Sequence, residues 1–145
     1  MLSRDFKEFI QFLNANDVRY LVTGGYAVAA HGHPRYTKDL DVWLENSEAN
    51  AIQVIKALTD FGFASLGLTA EDFTTSGQVI QLGYPPNRID MLTYADGVDF
   101  SECFGQRLII NIDDVSINFI GLSDLKKNKK ASGRPQDLAD LDALS

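Results

Sequence analysis

Apolar residues recur along the chain with two periods, and the alternation between those periods predicts the elements. Phe6, Phe9, Ile10 and Leu13 follow helical spacing, and Ser3 stands where an N-cap belongs, so residues 3–14 read as a helix. VRYLVT, residues 18–23, reads as a strand, broken by Gly24-Gly25; YAVAAHG then reads as a short helix. DLDVWL, residues 39–44, alternates as a strand does. Ser47 caps a helix running to about Asp60, with Ala51, Ile55 and Leu58 among its inward positions.

Beyond this point the pattern changes to short strands. Residues 78–83 and 88–94 flank the turn signal Tyr84-Pro85-Pro86-Asn87. RLIINI, the Asp113-Asp114 turn and VSINFIG make a second hairpin. The tail reads as helical, with a break near Ser132-Gly133-Arg134-Pro135 and a last stretch through Leu138, Leu141 and Leu144. Residues 64–77 and 95–106 carry no decisive period. The order of helices and strands predicts an α/β (α+β) domain: a mixed β-sheet flanked by helices, with helices at the C-terminus. The length of 145 residues suits one domain spanning residues 1–145.

Composition narrows the picture. Hydrophobic residues make up 45% of the chain and charged residues 23%, as in soluble globular proteins. The single Cys103 has no partner for an internal disulfide, which suits a cytoplasmic protein and a half-buried small apolar role. No stretch is long enough to span a membrane, and the N-terminus lacks the apolar run of a signal peptide. The formal net charge of −7 argues against broad, sequence-blind wrapping of nucleic acid. It leaves room for a small basic patch, and a protein of this charge that handles a polyanion usually needs metal ions to do it.

The candidate chemistry lies in three acids. On a strand, side chains alternate faces, so Asp39 and Asp41 project together while Leu40 and Val42 point to the core. Two carboxylates so close repel unless a cation or a proton lies between them, and hard oxygen ligands suit Mg²⁺ or Mn²⁺. A third acid, Asp90, interrupts the alternating strand Arg88-Ile89-Asp90-Met91-Leu92. Upstream, Thr23-Gly24-Gly25 ends a strand and opens a helix, where glycines permit close approach of a phosphate. Arg35, Thr37 and Lys38 lie between the glycines and the acids, and Arg35 has the fork that grips a phosphate. His31 and His33 lack a zinc-ligand spacing and suit loop or capping roles.

The ordered set of Gly24-Gly25, Asp39-x-Asp41 and a later Asp90 resembles the nucleotidyltransferase superfamily typified by DNA polymerase β. The stretch from His31 to Asp41 is similar to His-Gly-x-x-Arg-x-Thr-x-Asp-Leu-Asp in small bacterial nucleotidyltransferase-like proteins. The tail from Asn128 to Asp137 resembles the Lys–Gly-Arg–Asp segment of such proteins and of abortive-infection toxin relatives.

The resemblance implies transfer of a nucleotide from a nucleoside triphosphate to an acceptor hydroxyl, with loss of pyrophosphate. Asp39, Asp41 and Asp90 would be catalytic and would hold two ions of Mg²⁺ or Mn²⁺. Gly24, Gly25, Arg35, Thr37 and Lys129 would bind the nucleotide, ATP among the candidates. The acceptor is open among a protein hydroxyl, an RNA end and a small molecule. The alternative is a non-catalytic module of the same fold that binds a nucleotide or a protein partner, as one half of a toxin–antitoxin pair.

Overall fold

Ser3 accepts a hydrogen bond from the Phe6 N–H and starts the first helix of the computed structural model, which describes residues 2–84 and 87–145. This helix, α1 (Arg4–Ala15), buries the four apolar positions that its spacing marks. Then follow β1 (Tyr20–Thr23), α2 (Gly24–Ala30), β2 (Asp39–Leu44) and α3 (Glu48–Asp60). Ser47 caps α3 by accepting from the Asn50 N–H. Along α3, Ala51 and Leu58 are buried as expected, but Ile55 is only half-buried and Val54 takes its place in the core.

Two short 3₁₀ turns, Ala64–Leu66 and Ala70–Phe73, occupy the first stretch without a decisive period. Strands β3 (Val79–Leu82) and β4 (Arg88–Leu92) are antiparallel neighbours. Of the expected turn between them, Pro85 and Pro86 lie outside the described residues. The second undecided stretch contains α4 (Phe100–Gly105), capped by Asp99. Strands β5 (Leu108–Ile112) and β6 (Val115–Phe119) form the second hairpin, and both Asp113 and Asp114 take positive φ in its turn. Helices α5 (Leu122–Ser132) and α6 (Pro135–Leu144) close the chain, separated by the left-handed Gly133.

The strands form one six-stranded sheet in the order β3-β4-β2-β1-β6-β5. It is mixed: β2 runs parallel to β4 and β6 parallel to β1, while the other neighbours are antiparallel. The expected mixed sheet flanked by helices is the observed architecture. The central strands β1 and β2 carry the core, with Leu21, Val22, Leu40, Val42 and Leu44 buried. Trp43 meets Phe100 of α4 edge-on at 5.1 Å, so α4 packs on the same sheet face as Asp39 and Asp41. Cys103, expected to be half-buried, is fully buried, and burial foremost, with Asp124 beside it, pushes its thiol up to about 12. Among the described residues, no helix is long and apolar enough to cross a membrane.

Candidate active site

The parallel pairing of β2 with β4 sets the site. Asp39 lies opposite Arg88, Asp41 opposite Asp90, and Trp43 opposite Leu92. Residues directly opposite on neighbouring strands share a face. The three acids therefore stand together on one side of the sheet, with Arg88 among them. Asp41 is also opposite Thr23, the last residue of β1, which brings Gly24 against it.

The glycines have a local reason as well as a chemical one. Gly24 has φ of +64°, in the left-handed region, and a Cβ there would collide with Asp41 Oδ2. A Cβ on Gly25 would lie 2.7 Å from Thr37 Oγ1 and 3.1 Å from an Arg35 guanidinium nitrogen. Both positions must stay bare for the side chains above them to keep their places. Gly24→Ala should therefore cost about 2 kcal/mol or more, from the left-handed backbone plus the displaced carboxylate. Denaturant unfolding measures this; a cost near zero would mean both that Asp41 moves aside freely and that the backbone leaves the left-handed region without strain.

The acids are unequally satisfied. Arg88 donates to Asp39 Oδ2 at 2.6 Å, and to Asp90 at 3.0 and 3.2 Å. Asp39 Oδ1 is buried and, among the described residues, has no hydrogen-bond partner. Burial, reinforced by the negative charges of Asp90 and Asp39, raises Asp41 to about 6, outweighing Lys129 and Arg134. Burial also raises Asp90, which is 7% exposed, although Arg88 opposes the shift.

Asp39 and Asp41 are the side chains that could fit a divalent cation: Asp39 Oδ1 has no partner among the described residues, and Asp41 stands against the bare Gly24. The fit is not preformed as a cage. Among the described residues, no group of three or more His, Cys, Asp or Glu side chains is drawn together tightly enough to hold a metal, and Arg88 takes up much of the charge instead.

Asp39 and Asp41 form a wall between two clefts. The first, of about 500 Å³, holds Arg88, Asp90, Leu92, Tyr94 and Asp96. The second, of about 450 Å³, holds Gly25, Arg35, Thr37 and Lys38. Gly24, Lys129, Arg134 and Asp137 line both. All five residues expected to bind nucleotide thus border the second cleft.

Two of those five are already engaged. Arg35 turns its fork onto Asp140, with Nε to Oδ1 at 2.7 Å and Nη2 to Oδ2 at 2.9 Å. Lys129, 4% exposed, lies 3.2 Å from Asp137 Oδ1 and 2.9 Å from Asp140 Oδ2. Burial alone would raise Asp137, yet hydrogen bonds from Arg134, Ser132 and Lys129 hold it down at about 2. Asp140 stays below the usual carboxylate range because Arg35 and Lys129 outweigh its burial. This buried network ties α5 and α6 to the loop before β2.

His31 ends α2 with its Nε2 2.8 Å from the Ile120 carbonyl oxygen, a capping and bracing role, and His33 is exposed.

Arg88 and Arg134 are the site residues that sequence reasoning missed. Arg88 had a usable signal, since it lies two residues before Asp90 on one strand and so shares its face. Arg134 stood in the tail motif but had no assigned role. Its side chain is 78% exposed and borders both clefts.

No protein-family description and no curated protein matches the sequence. Solved structures do match. A "putative nucleotidyltransferase" from Thermotoga maritima superposes with a TM-score of 0.61 at 14% identity, covering 97% of this chain and 89% of that one. An antigenic nucleotidyltransferase-like protein from Paracoccidioides brasiliensis superposes with a TM-score of 0.57 at 14% identity, covering 99% of this chain and 77% of that one.

The chain has the nucleotidyltransferase fold. At these identities the likeness concerns the fold, while function must be argued from the site. Within the nucleotidyltransferase fold seen here, β2 and β4 present the acids, the β1–α2 junction supplies Gly24 and Gly25, and α5 and α6 roof the site with Lys129 and Arg134.

Proposed function

We propose that this chain is a metal-dependent nucleotidyltransferase, moving a nucleoside monophosphate from a triphosphate to an acceptor hydroxyl and releasing pyrophosphate. The observation that carries the reading is the alignment of Asp39, Asp41 and Asp90 on one sheet face, with an orphaned oxygen and an unbalanced charge, between two clefts.

The triphosphate belongs in the second cleft. Beyond the residues that the clefts share, that side adds Arg35 and Lys38 and no acid. Lys38 is exposed and has no ion-pair partner among the described residues, so it is the cation best placed to meet phosphate oxygens, with Arg134, exposed but paired with Asp137, beside it. Arg35 and Lys129 act at one remove, holding α6 and its Asp140 against the loop that carries Thr37.

Mg²⁺ or Mn²⁺ held by Asp39 and Asp41, with Asp90 completing a second position, would neutralise charge on the triphosphate and lower the pKa of the acceptor hydroxyl. Asp90 faces the first cleft, and its raised pKa makes it a better proton acceptor than an ordinary carboxylate. Arg88 offsets the repulsion among the acids before substrate arrives.

Thermal melting tests the cation site. A carboxyl near 6 when folded and 3.8 when unfolded binds protons more tightly in the folded state. Its contribution to stability therefore falls as pH climbs from about 4 to about 6, and the loss persists at neutral pH. Asp41→Asn should remove that loss and raise the metal-free melting temperature at pH 7 by about 5 °C. In the unsubstituted protein, Mn²⁺ should raise the melting temperature by binding the folded state alone. The Mn²⁺ shift should vanish in Asp41→Asn; an equal shift in that variant would place the ion elsewhere.

A second reading has one observation in its favour. Arg88 already bridges Asp39 and Asp90, as it would in a module that binds nucleotide or a protein partner without chemistry.

A further inference from the structure

The first cleft has a floor that the nucleotidyl-transfer reading leaves unused. Along β4, Arg88, Asp90 and Leu92 share the site face, so Leu92 lies two residues beyond Asp90 and Arg88 two residues before it. Val79 of β3 is paired opposite Leu92, and Tyr94 follows just past the end of β4. Val79 is 55% exposed and Tyr94 52% exposed. These three side chains make an apolar shelf, one of them aromatic, open to solvent on Asp90's side.

The charges around the shelf are equally specific. Each cation bordering the first cleft is already salt-bridged: Arg88 to Asp39 and Asp90, Lys129 to Asp137 and Asp140, Arg134 to Asp137. The cleft adds Asp96, an exposed acid with no ion pair among the described residues. Arg88 stands at the opposite end of the strand from the shelf. Across the wall, the second cleft has the reverse character: among the described residues Lys38 has no ion pair, and beyond the shared lining the cleft adds no acid. A nucleic-acid end would bring flanking phosphates, which need unpaired Lys or Arg beside the reacting hydroxyl. Among the described residues the first cleft has none beside the shelf, and its volume of about 500 Å³ suits a drug-sized molecule.

Resting on the nucleotidyl-transfer reading, we propose that the acceptor is a small hydroxyl compound without phosphate, neutral or amine-bearing, seated by an apolar or ring face on Val79, Leu92 and Tyr94. Its hydroxyl oxygen attacks the α-phosphorus of the triphosphate. The new P–O bond forms as the bond to the β-phosphate oxygen breaks, pyrophosphate leaves, and the hydroxyl proton passes to Asp90. An amine on the acceptor would meet Asp96.

The test uses the full chain, Mg²⁺, α-labelled triphosphates and extract of its own cells. The extract is divided by ultrafiltration into a macromolecular fraction and a filtrate, and part of the filtrate is passed over an anion-exchange resin. Label should enter small products, and the resin-treated filtrate should support transfer as well as the untreated one. Tyr94→Ala with Val79→Ser, both at exposed positions, should raise the KM for the filtrate acceptor at least tenfold and leave triphosphate binding within twofold. Tyr94→Phe should retain the original KM. Label found only in RNA or protein, loss of acceptor activity on the resin, or an unchanged KM in the double variant would each overturn the proposal while leaving the enzyme reading intact. Triphosphate bound but transferred to no fraction would overturn the enzyme reading itself.

Discussion

Asp90→Asn should lower nucleotide transfer by a factor on the order of a hundred or more and leave triphosphate affinity in Mg²⁺ within a few-fold of the original. The reason is position. Asp90 borders the first cleft and not the second, whereas Asp39 and Asp41 border both. On the proposed reading, a residue on the acceptor side serves the attacking hydroxyl, and a residue on the shared wall serves the triphosphate as well. Asp39→Asn and Asp41→Asn should accordingly lower affinity and transfer together. The asparagine at 90 still accepts a hydrogen bond from Arg88, so the strand pair should keep its geometry. A binding titration and a label-transfer assay on the same preparations separate the effects. Transfer by Asp90→Asn at the original rate would make Asp90 a structural strand residue.

The second large effect is on stability. Lys129→Met should destabilise the fold by about 3 kcal/mol, or roughly 10 °C in melting temperature. Lys129 is buried between Asp137 and Asp140, both of them buried. Removing one partner of such a cluster leaves carboxylates uncompensated in a low dielectric. Arg134 still holds Asp137 and Arg35 still holds Asp140, which keeps the expected cost at the lower end for a buried pair.

The loss should also change with pH in a definite direction. With Asp137 at about 2 in the folded protein, the network contributes stability above the unfolded carboxyl's 3.8, and that contribution is lost as pH falls toward 2. The melting difference between the original protein and Lys129→Met should therefore shrink below about pH 4. A constant difference down to pH 2 would show that the lysine stabilises by packing of its stem instead of its charge.

The fold and the grouping of the three acids on one sheet face were legible because they rest on local rules. Strand alternation in DLDVWL and RIDML puts Asp39 with Asp41 and isolates Asp90 among apolar neighbours, and β2 spans the whole DLDVWL run. Helix α3 is bounded by its own cap. Helix α4 was not legible, because six residues are too few to display a helical period. The buried Asn50 was missed for another reason. Its amide holds the backbone of Arg19 and Glu45, 31 and 5 residues away, and no local pattern announces such a bond.

The same limit governs the cations. Arg35 and Asp140 are 105 residues apart, so the bidentate grip expected for a phosphate went unseen as a grip on α6. Lys129 sits in a run of lysines that looks solvated, and its burial follows from how α5 packs on α6.

The central claim is that the acids between the two clefts support transfer of a nucleotide and do not merely hold one. The most direct measurement is the fate of label and pyrophosphate when the protein is incubated with α-labelled triphosphate, Mg²⁺ or Mn²⁺, and extract of its own cells. The original protein should form a labelled acceptor in step with pyrophosphate, and Asp41→Asn should form neither product. Triphosphate binding without any labelled acceptor or pyrophosphate would contradict it and make the protein a binding module of nucleotidyltransferase fold.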